Sequence, residues 1–379
     1  MANGRTVLPG PELMLSLTPG TSITFIDDQP VILSRDRRAL FEVNQIGGYI
    51  GCRLEEGISL RQLAEEVGDR GFGPASAMLR AVLSQWSHSG LVNALDDPPA
   101  SPPALAQSLA LAGKSFLLRY HDDALAAHVA PLFSHLETAA DEAETSYDLW
   151  SAHGLTLLSQ DGGRASVLQA REAGPVIKAC IIQDIIGDGR SGLALHAGCL
   201  HRNGRALLLT GRPGAGKTTL ISWLAGNGFD YQGDDITLLH EDGRVQGLPF
   251  LPTIKSGAWP MMTARYGDLL HPAVHARPDN KRVRYLASAG SGRQATGEVG
   301  WIVKLRRARG CAARLEPVPS TTSIKHLLSE AASATGEVDR GTLGRLILTV
   351  SAARTCELHY DDLDEAAALL EGFCDHGAA

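Results

Sequence analysis

One segment near the middle of the chain has the residue types and spacing of a nucleotide phosphate loop. Residues 211–218 read Gly-Arg-Pro-Gly-Ala-Gly-Lys-Thr, which fits the pattern G-x-x-x-x-G-K-[ST] at every fixed position. Glycines allow backbone N–H groups to converge on phosphate oxygens, while the lysine of this pattern reaches the β- and γ-phosphates and the threonine hydroxyl ligates Mg²⁺. The pattern predicts an ATP and Mg²⁺ site on Gly211, Arg212, Pro213, Gly214, Ala215, Gly216, Lys217, Thr218 and Thr219.

The neighbouring sequence predicts the strand and helix that such a loop needs. An apolar run at 205–210 ends at the first glycine, and residues 219–225 continue as a helix that ends at Gly226 and Gly228. The N-terminus of that helix adds a favourable dipole for phosphate. A glycine-rich turn that matches the pattern by chance is the alternative, and the flanking strand and helix argue against it.

The segment before the loop predicts a β-hairpin. Residues 193–202 and 205–210 are strand-like, and Asn203-Gly204 between them is a strong signal for a two-residue turn. If residue 202 pairs with residue 205, His196 falls opposite Gly211 and its imidazole lies beside the phosphate site. The alternative is a histidine that only packs, because a slip of one residue turns the ring to the other face.

These features together resemble the catalytic core of HPr kinase and its relatives. The resemblance is carried by the Leu-His-Ala-Gly segment ending at Gly198, the hairpin, the phosphate loop and Gly233-Asp-Asp-Ile236. It implies a fold similar to phosphoenolpyruvate carboxykinase and transfer of the ATP γ-phosphoryl group to a serine of a protein or peptide. By resemblance the catalytic residues are His196, Lys217, Asp234 and Asp235, one aspartate acts as the base, and the metal ligands are Thr218 and Asp234.

The sequence departs from that family at a second glycine-rich signature. HPr kinase carries a glutamate there that helps to hold metal, whereas residues 247–257 of this chain contain no carboxylate. The resemblance therefore implies a different metal shell and different substrate contacts, and HPr itself is a poor candidate for the substrate.

Composition bounds the class of protein. The chain has 379 residues, 44% of them hydrophobic and 20% charged, which predicts two or three globular domains. A net charge of −7 argues against nonspecific nucleic-acid binding. Six cysteines without a C-x-x-C pair indicate neither a disulfide framework nor a zinc site. The sequence shows no membrane span and no signal peptide, so we expect a cytoplasmic protein without a membrane partner.

The N-terminal sequence predicts a winged helix-turn-helix after a loose lead-in at 1–16. Strands are expected at 23–26, 30–33 and 39–43, and three helices are expected to begin at Asn44, Ser59 and Pro74. DNA binding is the obvious alternative for such a unit. Residues 17–95 carry seven basic and nine acidic residues, which is too little positive charge for a duplex binder acting alone.

The same region resembles PqqD and related recognition elements of peptide-modifying enzymes. The resemblance covers roughly residues 17–95 and rests on segments 38–44, 56–64 and 89–92. It implies that residues 17–95 bind the leader of a ribosomally made precursor peptide as an added β-strand. A winged helix used only for self-association is the alternative.

The rest of the chain is predicted as a proline-rich linker at 96–103 and a kinase-like domain at 104–379. Strands are expected at 116–119, 155–159 and 176–182, a helix at 123–135, an irregular polar stretch at 249–300, and a hairpin of 300–306 with 312–317. Helices at 322–332, 343–352 and 363–373 and a strand at 356–360 follow. The basic residues Lys255, Lys281, Arg282 and Arg284 either contact ATP or peptide or form a solvated face.

The sequence therefore predicts an α+β or α/β protein, a winged helix-turn-helix followed by a phosphate-loop kinase domain of the HPr kinase and phosphoenolpyruvate carboxykinase type. Its expected activity is ATP-dependent phosphorylation of a serine in a ribosomal precursor peptide. A homo-oligomer is left open, and no nucleic-acid partner is expected. Two other classes remain open: a nucleotide-dependent switch without phosphoryl transfer, and a transcription regulator that senses ATP.

Overall fold

The computed structural model describes residues 12–35, 37–70, 75–139, 142–190, 192–287 and 294–375. Contacts divide the chain into two units, the first made of 1–108, 116–130 and 141–173 and the second of 109–115, 131–140 and 174–379. This division does not fall at the predicted linker 96–103. The first unit continues past the linker because Trp150, Leu157 and Val167 share a core with the N-terminal helices.

The N-terminal part of the first unit combines short strands with three helices. The strands are β1 (Met14–Leu17), β2 (Thr21–Ile26), β3 (Gln29–Ser34), β4 (Ala39–Glu42), β5 (Ile58–Ser59) and β6 (Val92–Ala94), and the helices are α1 (Gln45–Glu56), α2 (Leu60–Asp69) and α3 (Ala75–His88). β2, β3 and β4 form one antiparallel sheet, and β5, β1 and β6 form another.

The predicted strands and helices of this part are present. Asn44 caps α1 by accepting a hydrogen bond from the Gly47 N–H at 2.8 Å, and Ser59 caps α2 by accepting one from the Gln62 N–H at 3.2 Å. Residues 14–16 were expected in a loose lead-in, which is wrong, since they form most of β1. The expected start of the third helix at Pro74 lies outside the described residues, and the winged helix-turn-helix class is not confirmed.

A five-stranded sheet follows along the chain, with most of its residues in the first unit. Its elements are β7 (Leu105–Leu111), β8 (Lys114–Tyr120), α4 (Asp123–Val129), β9 (Thr145–Ala152), β10 (Leu155–Gln160) and β11 (Ser166–Leu168), and the strand order is β11-β10-β9-β8-β7. The strands expected at 116–119 and 155–159 are confirmed. The helix expected at 123–135 ends at Val129, where 3₁₀ turns replace it around Pro131.

The second unit alternates helices and strands around a larger sheet. Its elements are α5 (Ala173–Gly187), β12 (Leu193–Leu195), β13 (Gly198–Arg202), β14 (Arg205–Thr210), α6 (Lys217–Ala225), β15 (Asp230–Gly233), β16 (Thr237–Leu239), β17 (Val245–Gly247), β18 (Thr253–Lys255), α7 (Trp259–Tyr266), β19 (His275–Ala276), β20 (Arg282–Tyr285), β21 (Thr296–Arg307), β22 (Arg314–Pro317), α8 (Ser320–Ser329), α9 (Arg340–Ala352), β23 (Arg354–Tyr360) and α10 (Leu363–Asp375).

The central sheet of this unit positions the phosphate loop. Its order is β12-β16-β17-β21-β14-β13-β15, with β23 also paired to β21. β14, β21 and β23 run parallel, so their carboxyl ends meet at the edge where the loop begins. Alternate residues of β14 face opposite cores: Leu207 and Leu209 pack with α6 and α10, and Ala206 and Leu208 pack with α8 and α9. The result is a mixed α/β unit.

The strand expected at 176–182 is wrong, because these residues lie inside α5. A continuous apolar run does not distinguish a buried strand from a buried helix by its period, and here the run extends over 15 helical residues. Despite this apolar character, none of the described helices has the length and hydropathy needed to cross a membrane.

Two further expectations for the second unit are wrong. Residues 312–317 do not form a hairpin with β21, because β22 pairs with β23 and β23 lies next to β21. The stretch 249–300 is not irregular throughout, since β18, β20 and β19 form a small sheet covered by α7. Ile254, Met262 and Leu286 pack together beneath this small sheet. Because they are far apart in the sequence, no local hydrophobic pattern predicts that they share a core.

Candidate active site

The phosphate-loop segment connects β14 to α6, as the sequence predicts. Gly211, Gly214 and Gly216 have φ angles of 147°, 90° and 89°, a region that strains residues with a side chain. Among the described residues, no atom lies within 4 Å of a Cβ added at Gly214, so that part of the chain leaves space over the loop. The glycines therefore allow the backbone conformation that the phosphate-binding pattern requires.

The loop is anchored from the end of β23. The Tyr360 hydroxyl donates a hydrogen bond to the Ala215 carbonyl oxygen at 2.7 Å. A Cβ added at Gly216 would lie 2.6 Å from that same Tyr360 oxygen. Position 216 thus requires glycine for two reasons, its left-handed backbone conformation and the close approach of Tyr360.

Gly216→Ala is expected to destabilise the protein and to weaken nucleotide binding, because the new Cβ would displace Tyr360 from the loop. The expected loss in free energy of unfolding is about 1–3 kcal/mol. Denaturant unfolding and titration with ATP measure the two effects. Gly344→Ala is the matched control, because Gly344 lies in α9 with no atom within 4 Å of an added Cβ, and it should be neutral or stabilising.

Lys217 begins α6 and carries a buried ammonium group. Within the described part of the chain its Nζ has no hydrogen-bond partner. Burial lowers the pKa of Lys217, while the negative charges of Asp235, Glu330 and Asp234 oppose that shift. A buried cation without hydrogen bonds is costly. The unsatisfied ammonium and the open space over Gly214 fit a bound phosphate group, which supplies anionic oxygens.

The two adjacent aspartates have different surroundings. Asp234 is 3% exposed; its Oδ2 accepts a hydrogen bond from the Thr253 N–H at 3.3 Å, and its Oδ1 lies 3.7 Å from Lys178 Nζ. The side chain of Asp235 is 43% exposed, and its Oδ1 lies 3.5 Å from His196 Nε2. Asp235 is therefore the accessible carboxylate of the pair, and the predicted metal-binding role of Asp234 stays a prediction.

Asp235 lies in a positive environment. Burial by itself would raise its pKa, but the charges of Lys178, His196, Lys217 and Arg277 outweigh that effect, and the pKa is lowered. Asp235 is consequently ionised at neutral pH. An ionised carboxylate is the form that accepts a proton or binds a cation.

His196 reaches this site by a different route from the one expected. The predicted register is confirmed from Gly198, which pairs with Leu209, to Arg202, which pairs with Arg205. Pairing stops at Gly198, because residues 193–195 leave the hairpin and pair with β16. His196 therefore lies at the break between β12 and β13, beside Asp235 and not opposite Gly211.

Most of the basic residues noted in 249–300 have partners within that segment. Lys281 Nζ lies 2.8 Å from Asp279 Oδ2, and the guanidinium groups of Arg282 and Arg284 lie 5.9 and 4.5 Å from the Trp259 ring centroid. Lys255 is exposed, and its charge is near enough to lower the pKa of Lys217 further. Lys255 is therefore close to the first residue of α6 in electrostatic terms.

Sequence reasoning missed three charged residues near the site. Lys178 is a single cation within the apolar helix α5, and that contrast was the available signal. Arg277 acts on Asp235 from the segment between β19 and β20. Glu330 acts on Lys217, and it is brought near because Ala332 forms an antiparallel bridge with Ala194, two residues before His196. No local pattern indicates the last two.

The donor set fits Mg²⁺ bound together with a nucleotide. Among the described residues there is no group of three or more His, Cys, Asp and Glu side chains that could hold a metal ion. Kinase sites typically hold Mg²⁺ through one or two protein oxygens and the substrate phosphates. Thr218, in the first turn of α6, provides a hydroxyl of that kind, and the phosphates of the nucleotide would provide further oxygens.

The sheet and the loop define a mixed α/β protein with a glycine-rich loop between a strand and a helix. No protein-family model matches the chain, and no curated protein matches it. Among solved structures, the chain is similar to the Hpr(Ser) kinase/phosphatase from Coxiella burnetii, with 13% sequence identity over 48% of this chain and 95% of that chain and a TM-score of 0.22. A likeness at that TM-score carries no inference, so function rests on the site itself.

Proposed function

We propose that this protein is an ATP- and Mg²⁺-dependent kinase that transfers the γ-phosphoryl group to a hydroxyl. The observation that carries the proposal is the buried Lys217 ammonium, which lacks a hydrogen-bond partner among the described residues. It interacts electrostatically with Asp235, whose carboxylate is accessible and ionised. A phosphate-binding cation next to a carboxylate is the pair that phosphoryl transfer to a hydroxyl requires.

The proposed reaction forms one P–O bond and breaks another. The acceptor hydroxyl oxygen bonds to the γ-phosphorus, the bond to the β,γ-bridging oxygen breaks, and ADP leaves with that electron pair. The hydroxyl proton passes to the Asp235 carboxylate. Lys217 and the backbone N–H groups of the loop stabilise the negative charge on the phosphoryl oxygens, which is the main catalytic contribution in this class of reaction.

His196 supports Asp235 from the other side. Its Nε2 lies 3.5 Å from Asp235 Oδ1, so it orients the carboxylate. Bound Mg²⁺ would be held by the Thr218 hydroxyl and by oxygens of the nucleotide phosphates, where it would supply positive charge, and this leaves the Asp235 carboxylate free to accept the proton. Because Asp234 is enclosed by Thr253 and Lys178, its side chain contributes mainly by fixing the backbone that carries Asp235.

We propose further that the acceptor is a serine of a ribosomally made precursor peptide, whose leader binds within residues 17–95. The support is an exposed sheet edge: within the described part of the chain, β4 pairs with β3 on one side alone, and Leu40 on it is 48% exposed. Phe25 and Ile26 on β2 are also exposed. An unpaired edge with apolar side chains is suited to strand addition by a peptide.

Leu40→Lys is expected to raise KM for a full-length precursor while leaving kcat unchanged. The substitution removes apolar contact area at the proposed edge, and such contacts contribute binding that is the same in the ground state and the transition state. An increase on the order of tenfold in KM is expected for a residue of this kind. Fluorescence anisotropy of a labelled leader, titrated with the full chain, measures the binding directly.

Leu348→Lys in α9 is the matched control, since Leu348 is 72% exposed in the second unit and should leave leader binding unchanged. A duplex DNA competitor in the same titration distinguishes the regulator class. Displacement of the leader by DNA, or binding to DNA with no binding to any leader, would contradict the peptide-binding proposal.

Mass spectrometry of the peptide tests the kinase proposal itself. With ATP and Mg²⁺, the peptide should gain the mass of one phosphoryl group or more, and fragmentation should place it on a serine. Conversion of ATP to ADP and inorganic phosphate at a slow rate that peptide does not change would indicate the nucleotide switch instead.

A further inference from the structure

Lys178 is a buried lysine that the proposed reaction does not use directly. It lies on α5, whose residues are mostly apolar, and it is 8% exposed. Removal of a lysine side chain from water carries a cost that must be offset by specific partners. The contacts of its ammonium group therefore indicate the role of Lys178.

The contacts of Lys178 converge under the aspartate pair. Its Nζ lies 3.7 Å from Asp234 Oδ1 and donates a hydrogen bond to Thr253 Oγ1 at 3.3 Å. The same ammonium lies 5.4 Å from the centroid of the Phe250 ring. One cation thus ties the turn that carries Asp234 to the segment that leads into β18.

The segment that leads into β18 also contacts Asp234 through its backbone, because the Thr253 N–H donates to Asp234 Oδ2 at 3.3 Å. The same segment is held to β15 as well, since the Tyr231 hydroxyl donates to the Phe250 carbonyl oxygen at 2.6 Å. Asp234, Thr253 and Lys178 form a closed buried network in which each member contacts the other two. Buried polar networks of this kind fix a single arrangement when every member is satisfied.

We propose that Lys178 is a positioning residue of the active site, which holds Asp234 in place and thereby sets the position of the neighbouring Asp235 carboxylate. Asp234 and Asp235 are adjacent in the turn after β15, so a displacement of the buried side chain moves the accessible one. Loss of the cation leaves a buried carboxylate without its ion pair, an arrangement that is strongly unfavourable and that the turn would relieve by moving. The geometry of the network stands by itself, and the effect on turnover rests on the proposed kinase activity.

The proposal is distinguished from simple packing by the chemistry of the replacement. Methionine preserves the length and apolar stem of Lys178 but removes the charge and the hydrogen bond, whereas arginine preserves the charge. A packing role predicts that Lys178→Met is tolerated and that Lys178→Arg is the worse substitution, because the guanidinium is larger. A positioning role predicts the reverse order.

Lys178→Met is expected to lower kcat by about 10- to 100-fold with KM for ATP unchanged, the range seen when a residue that supports a functional side chain is removed. Lys178→Arg should recover part of the lost turnover. Asp234→Asn and the double variant Lys178→Met with Asp234→Asn complete a double-mutant cycle, measured both in kcat and in free energy of unfolding. Non-additive effects in both quantities are expected, since the two residues act through one contact.

The outcomes separate this inference from the proposed function. If the wild-type chain phosphorylates peptide while Lys178→Met retains wild-type kcat, or if the two substitutions are additive in both quantities, Lys178 has no positioning role and the kinase proposal stands. If the wild-type chain transfers no phosphoryl group to any peptide, the kinase proposal fails, and additive unfolding energies would then also remove the structural basis of the inference. A cycle with strong coupling, a loss of kcat and rescue by arginine supports it.

Discussion

Lys217→Ala is expected to lower the rate of phosphoryl transfer by about 10³-fold or more while the protein stays folded. The Lys217 ammonium is buried and has no hydrogen-bond partner among the described residues, so its removal breaks no hydrogen bond within that part of the chain. Its charge instead lies among Asp235, Glu330 and Asp234, where it can meet the phosphates of a nucleotide. Because this buried cation makes no hydrogen bond in the described part of the chain, the variant should unfold at an equal or higher denaturant midpoint.

The measurement is single-turnover transfer from ATP, with circular dichroism and denaturant unfolding as fold controls. Lys281→Ala is the matched control, because Lys281 is an exposed lysine whose ammonium already pairs with Asp279. The control should retain wild-type transfer. Full activity in Lys217→Ala would overturn the assignment of residues 211–218 as the phosphate loop.

Asp235→Asn is expected to reduce kcat by about 10²- to 10⁴-fold with little change in ATP affinity. The substitution keeps the size of the side chain and its reach to His196 but removes the proton acceptor. A base acts in the transition state, so its loss lowers kcat and kcat/KM together. Titration with ATP and steady-state transfer to peptide separate the two quantities.

Asp242→Asn is a suitable control for Asp235→Asn. Asp242 is an exposed aspartate of the same unit, in the turn between β16 and β17, where its Oδ1 accepts a hydrogen bond from the Arg244 N–H. The control should leave turnover unchanged. Wild-type turnover in Asp235→Asn would show that the accessible carboxylate is not the base, even though the nucleotide site would remain.

Local patterns predicted the phosphate loop and its neighbours well. The fixed positions of 211–218, the Asn203-Gly204 turn and the caps at Asn44 and Ser59 each depend on residues within a few positions of one another. Such short-range requirements for turns, caps and positive φ are visible in the residue types themselves. The predicted register of the β13–β14 hairpin is accordingly correct from Gly198 to Arg202.

Long-range packing accounts for what the sequence did not reveal. β23 lies beside β21 although β22 precedes it in the chain, so the adjacent strands β21 and β22 do not form a hairpin. Lys178 reaches Asp234 across 56 positions, which leaves no local spacing to detect. The apolar run at 176–182 was compatible with strand or helix, and tertiary burial decided in favour of helix.

The departure of His196 has a similar cause. The hairpin continues in register only to Gly198, where β12 turns away to pair with β16 and the Thr237 hydroxyl donates to the Ala197 carbonyl oxygen at 2.8 Å. The competing partner strand lies about forty residues away, so the turn signal gave no indication of it. His196 still lies in the site, because this break directs it toward Asp235.

The most direct test of the central claim follows the γ-phosphate of ATP. The full chain is incubated with Mg²⁺, γ-labelled ATP and a panel of serine-containing precursor peptides, and label is measured on the peptide and in free phosphate. Label on a serine of one peptide in the wild type, absent with Asp235→Asn, is the predicted result. Label that appears only as free phosphate, at a rate that no peptide changes, would contradict the assignment of this protein as a peptide kinase.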